Sequence, residues 1–448
     1  MGDRINMSEG KIYVALDLGS SKTSAIIAET DSLGKIHIIG VETTEKADGV
    51  ERGSIQNPSL AADDAKIVLD KIRNYAVLSG KKITSVIVGL TGYSFRTLST
   101  HTAASHNNDM ELTKEMMKEL EQDAAEKLQL EEREHVYEMI DQEFEMDNGI
   151  VDAKIGSKFQ EIDARYIAIV GRVGLDSRID DVCQELSLEN IRFFGPSQTA
   201  MAAINDTERE LGCAVIDFGA QTTSVVVIEG NKIRHAAVIP VGGQTVTRDL
   251  KSLLILEKSA EKLKKQYGYA LVEKANESET KRVIIPEEVK RNVDLRDVSK
   301  IIEAREDEIL DMVCGEIDKS GYWGKLKSGI VITGGASKMN SLKELISLKT
   351  GMTVRDADWK HLVSTSTNEM FICPENAMLI GLVNSAILAN SDDCVASDEK
   401  KKIEDVATTP TESKTAKTPK KPTKEKKKNF VDNLTNMMEG LLFDNDKL

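Results

Sequence analysis

The sequence predicts an α/β protein built as two similar halves around a cleft, and three stretches predict it. Residues 11–28 read KIYVALDLGSSKTSAIIA: an apolar run, Asp17, a tight turn through Gly19, Ser20, Ser21, Lys22 and Thr23, then a second apolar run. Residues 213–228 repeat the design as CAVIDFGAQTTSVVVI, with Asp217, Gly219, Gln221, Thr222 and Thr223 in the corresponding places. Residues 329–339, GIVITGGASKM, put Gly334, Gly335 and Ala336 at the end of a further apolar strand.

Each of the first two stretches reads as a β-hairpin. A tight turn with small hydroxyl residues directs backbone N–H groups and hydroxyls at one point, which is what a phosphate needs. An aspartate at the strand end is placed to hold Mg²⁺ through water. One such hairpin is more often plain structure than a site. Two of one design imply related halves with phosphates held between them. The paired glycines at 334 and 335 let backbone approach a flat base or ribose.

In chain order, residues 11–28 and 36–41 give three strands, 64–78 a helix and 83–90 a strand. From 92 to 158 the pattern changes. A polar segment rich in Ser, Thr and His leads to a charged helix over 111–128 with an apolar stripe at Leu112, Met116, Leu120, Ala124 and Leu128. Strand patterns follow at 135–144 and 154–159, so 92–158 reads as an inserted α+β subdomain. Residues 166–173 and 191–194 are strands, and 176–188 and 196–204 helices. Beyond the second hairpin, 242–256 and 258–267 are helices, 281–285 a strand and 294–317 a long helix. A closing helix begins near Glu375.

Composition bounds the function. A chain of 448 residues is long enough for about three domain-sized units. A net charge of −15 argues against a general nucleic-acid binder. The five cysteines, Cys183, Cys213, Cys314, Cys373 and Cys394, are scattered without metal-ligand spacing, which points to a reducing cytoplasm. The polar opening residues lack a signal-peptide core, and the apolar run over 377–389 is short for a membrane span.

After Ala389 the pattern stops. Residues 390–428 read as a disordered linker, with eight lysines against one acid between Lys414 and Lys428. Residues 429–443 then read as an amphipathic helix: Phe430, Val431, Leu434, Met437, Met438, Leu441, Leu442 and Phe443 supply the apolar side. Such a face has no core of its own to cover, and the adjacent lysines select an anionic membrane surface, each contributing roughly 1 kcal/mol.

The three motifs, in this order, resemble the phosphate-1, phosphate-2 and adenosine motifs of the actin-like ATPase superfamily. Glu210-Leu211-Gly212, Arg234-His235, Val238-Ile239-Pro240, Ala260-Glu261 with Lys264 and Gly268, and Ile332-Thr333-Gly334-Gly335-Ala336 sharpen this into a resemblance to the bacterial FtsA division family. The resemblance implies halves over 11–91 with 159–211, and over 212–389, with 92–158 as the family's inserted subdomain. It implies ATP and Mg²⁺ as cofactors, ribose and adenine contacts at Glu261 and Lys264, and a water-orienting role at Gln198. It further implies self-assembly, a peripheral location at the septal membrane, and other divisome partners. The end of the tubulin homologue FtsZ is expected to bind near Lys290, Arg291 and Arg296.

One departure stands out. Ala220 and Gln221 replace two glycines of the usual phosphate-2 turn. Ala220 is expected to strain the turn and Gln221 to crowd the terminal phosphate, giving ATP binding with slow turnover at most. A sugar kinase or phosphatase of the same superfamily, or an MreB-type or pilus-assembly scaffold, is the alternative reading.

Overall fold

The computed structural model describes residues 10–397 apart from 46, 148, 152–154, 278–281 and 286–290. β-branched, apolar runs buried on both faces form two sheets that share one topology. In the first, Ile12–Leu18, Thr23–Thr30 and Ile36–Thr43 form an antiparallel meander. Ser85–Leu90 and Glu189–Phe194 then add parallel strands beyond Ile12–Leu18. The second repeats this: Cys213–Phe218, Thr223–Glu229 and Lys232–Ile239 form the meander, and Ile330–Thr333 and Val354–Asp356 add parallel strands beyond Cys213–Phe218. The actin-like arrangement of two matching halves is therefore written into strand order, not only into motifs.

Helices cover these sheets. Pro58–Ile72 buries Ala61, Ala65, Val68, Leu69 and Ile72, with Asn57 as its cap and Pro58 opening its first turn. It starts and ends earlier than the periodicity suggests. Tyr75, within the expected span, lies beyond the helix, across Gly40, and donates to Glu42 Oε1 at 3.0 Å. The helix expected over 242–256 is shorter, Gly243–Leu250; a 3₁₀ turn over Lys251–Leu253 follows it and is closed by Leu254 at a left-handed φ of 58°.

The polar segment after Gly92, to which the sequence reading assigned no element, is a 16-residue strand, Arg96–Glu111. It pairs with Lys158–Arg172, which pairs with Glu134–Met146, and Thr113 caps the helix Lys114–Glu126 packed on them. With Gly149–Val151 paired on Glu134–Met146, this sheet joins the edge of the second meander through the pair Ala237–Arg96, making nine strands among the described residues. Side chains seal the joint: Gln142 Nε2 donates to the Ile233 carbonyl at 3.1 Å, and Arg234 bonds Gln142 and Glu143. Among the described residues no helix is long and apolar enough to cross a membrane.

Candidate functional site

The two hairpins close by the same device. Asp17 stands opposite Ser24 and Asp217 opposite Ser224, and Leu18 and Phe218 each face a threonine. A Cβ at Gly19 would lie 2.7 Å from the Lys22 carbonyl oxygen, and one at Gly219 2.8 Å from that of Thr222. Glycine is needed in both turns for close approach rather than for an unusual φ. Behind the second turn, the N–H groups of Gly243 and Gln244 donate to the carbonyls of Gly219 and Ala220 at 3.0 and 2.7 Å.

The two aspartates keep partial exposure yet lie deep among protein atoms. Burial pushes the Asp17 carboxyl up to about 6, against the pull of Lys22. Burial pushes Asp217 up to about 7, and the charge of Asp17 adds to it. Two carboxylates at the head of turns that carry Ser20, Ser21 and Thr222 form a donor set suited to a hard, hydrated divalent cation. Such an ion would offset the repulsion between them, and the residues present therefore fit Mg²⁺.

Other expected residues divide. Ser20 Oγ accepts the Gly53 N–H at 2.9 Å, and Gln221 Oε1 accepts the Arg52 N–H at 2.8 Å. Ser21 is exposed, and Lys22 and Thr222 are half-buried. Thr223 is a correction: it is buried, and its hydroxyl donates to the Val241 carbonyl at 2.8 Å, bracing the strand instead of facing a ligand. Ala220 is another, since neither it nor Gln221 has a positive φ and the expected strain is absent. Gln198 is a third. It is 4% exposed, and its amide oxygen accepts from Ser385 Oγ at 2.5 Å, which commits it to the closing helix.

The glycine turn meets the second hairpin directly. Gly334 has a φ of 87°, and a Cβ there would collide with Asp217 Oδ1. A Cβ on neighbouring Gly243 would lie 2.8 Å from Ala336 Cβ and 3.5 Å from Lys264 Nζ. Lys264, 7% exposed, donates to Gly243 O and Thr247 Oγ1, both at 2.8 Å, and to Glu261 Oε2 at 2.7 Å. Asp217, Gly334, Ala336, Gly243, Lys264 and Glu261 thus form one continuous wall, with Gly335 beside Glu375. Sequence reading missed Gly243, Thr247 and Glu306. Glu306 is 2% exposed, and burial pushes its carboxyl up to about 7 beside Lys264. A carboxylate on the apolar face of a long helix was the available signal.

Of the residues expected to meet a partner, Arg296 is exposed on the first turn of the helix Leu295–Lys319, and Arg291 lies in a short strand before it. Lys290 and the terminal apolar set from Phe430 to Phe443 lie outside the described residues. On the same long helix, Lys300, Ile301, Ala304, Arg305 and Glu308 line a groove of about 300 Å³ together with Asp249.

Residues 214–381 match the family model of the cell division protein FtsA. The cell division protein FtsA of Pseudomonas aeruginosa is 27% identical over 354 residues, covering 78% of this chain and 84% of the relative. That of Bacillus subtilis is 28% identical over 359 residues, 76% of this chain and 77% of the relative. A solved chain from a PilM-PilN type IV pilus biogenesis complex shares the fold, with a TM-score of 0.55 at 15% identity, covering 84% of this chain and 98% of its own.

Proposed function

From its place in the FtsA family of actin-like cell-division proteins, we infer that this chain binds Mg·ATP between its halves, assembles on the cytoplasmic membrane at the septum, and anchors FtsZ there. The observation that carries the nucleotide reading is the pair of hairpins of one design, each with an aspartate at its strand end, whose turns are joined through Arg52 and Gly53. The aspartates would hold Mg²⁺ through water, and its charge would offset that of the outer phosphates. Ser20, Ser21 and Lys22 serve the phosphates from one side and Thr222 from the other, where Gln221 stands over the terminal position. Lys264, Glu261 and the turn Gly334-Gly335-Ala336 take the nucleoside. With Gln198 committed elsewhere and Gln221 in the turn, turnover is slow.

The terminal helix from Phe430 to Phe443 supplies the membrane face, and assembly multiplies its modest affinity by avidity. FtsZ's terminal peptide docks on the half that follows the second hairpin, around Arg296 and the groove lined by Lys300, Ile301 and Ala304. Other divisome proteins join through the assembled filament. Co-sedimentation with anionic vesicles and a peptide copying the end of FtsZ tests the whole reading. With ATP, the full chain is expected to carry the peptide into the vesicle pellet, and a chain truncated after Lys428 to leave it in the supernatant. Equal pelleting by both chains would contradict the tether.

A further inference from the structure

A short hairpin not assigned above lies between the two phosphate hairpins. Val50–Glu51 pairs with Ser54–Ile55 around a turn whose two residues, Arg52 and Gly53, take φ of 48° and 72°. Successive left-handed residues form a tight hairpin turn and leave their N–H groups free of the ladder. Each of these N–H groups is taken by a side-chain oxygen from a different half. Gly53 donates to Ser20 Oγ of the first hairpin at 2.9 Å, and Arg52 donates to Gln221 Oε1 of the second at 2.8 Å.

The turn is fixed from behind. The Arg52 carbonyl accepts the Tyr93 N–H at 3.1 Å, and a Cβ at Gly53 would lie 3.4 Å from the Gly92 backbone. The Arg52 side chain is exposed, and among the described residues no carboxylate pairs with it. Glycine or asparagine is the unstrained choice at such a φ, so arginine here carries a conformational cost with no packing return.

We propose that the Arg52–Gly53 turn is a third phosphate-binding element, which recognises the terminal phosphate of the bound nucleoside triphosphate, and that Gln221 is the gate covering it. This rests on the nucleotide reading above. Two neutral side-chain oxygens now occupy acceptor positions that phosphate oxygens fill, and a charged acceptor makes the stronger bond to the same N–H groups. Gln221 has somewhere to stay when displaced, because its Nε2 already donates to Gln244 Oε1 at 2.7 Å within its own half. The exchange therefore releases the direct bond between the halves and replaces it with one through the phosphate. A diphosphate is one group too short to make it.

The test is equilibrium binding of Mg·ADP and the Mg complex of the non-hydrolysable triphosphate adenylyl imidodiphosphate to the full chain. Arg52→Gly removes the guanidinium while suiting the φ, and Arg52→Lys retains a cation. Arg52→Gly is expected to weaken the triphosphate analogue about tenfold and ADP less than about twofold, with Arg52→Lys recovering much of the loss. Gln221→Ala is expected to tighten the analogue about threefold. Equal effects of Arg52→Gly on both nucleotides, or none on either, would overturn the assignment while leaving the nucleotide reading standing. If the unaltered chain binds neither nucleotide, both fall together.

Discussion

The two halves share strand order, hairpin register and the close approach that closes each turn, yet they differ at their edges and in what their turns do. In the first half the turn residue Ser20 bonds its own half, through Gly53. In the second, Gln221 reaches across to Arg52. The first meander ends at a strand flanked by residues 363–367, whereas the second carries a further sheet on its edge through one backbone pair and a set of polar side chains. A repeated backbone thus fixes where ligand groups point, and the unrepeated side chains decide which half bonds which. The moving parts are to be sought where the repeat fails.

The largest difference between the halves is expected in the added sheet. Glu138, on the strand that also carries Gln142, is 6% exposed, and burial pushes its carboxyl up to about 8. Its Oε2 has no hydrogen-bond partner among the described residues. The folded chain therefore keeps this proton to about pH 8, while the unfolded chain releases it near the ordinary glutamate value. Stability falls as pH rises between those two values and is flat above them. Urea unfolding from pH 5 to 9 should show the unaltered protein losing on the order of 3 kcal/mol relative to Glu138→Gln. Parallel curves would mean the carboxylate finds a partner in solution and that the joint is not a special feature of the second half.

A smaller effect sharpens the likeness itself. Gly19→Ala and Gly219→Ala each push a Cβ against a backbone carbonyl at nearly the same distance, 2.7 and 2.8 Å. Each should cost about 2 kcal/mol, equal within about 0.5 kcal/mol. Unequal costs, read as unfolding midpoints, would show that the second turn, backed by Gly243 and Gln244, is a different structure in the same register.

What the sequence made legible follows from what each signal depends on. The hairpins and the glycine turn were readable because Asp17, Gly19, Asp217, Gly219 and Gly334 act through local backbone geometry that their own neighbours announce. Arg96–Glu111 was not, because RTLSTHTAASHNNDME exposes most of its side chains and draws its strand character from long pairing with Lys158–Arg172. Thr223 reads as a hydroxyl at a phosphate turn but occupies the inward side of its strand. Gln198 was misread because its partner, Ser385, is 187 residues away. The same distance problem hid the Arg52–Gly53 turn, whose link to Gln221 spans 169 residues.

In the proposed site each half contributes one aspartate, and neither is expected to suffice alone. Calorimetric titration of Mg·ATP into Asp17→Asn, Asp217→Asn and the double variant tests it most directly. Each single change is expected to remove most of the Mg²⁺-dependent affinity and the double change to add little more, as coupled groups do. Independent, additive losses, or full Mg²⁺-dependent binding by either single variant, would contradict it.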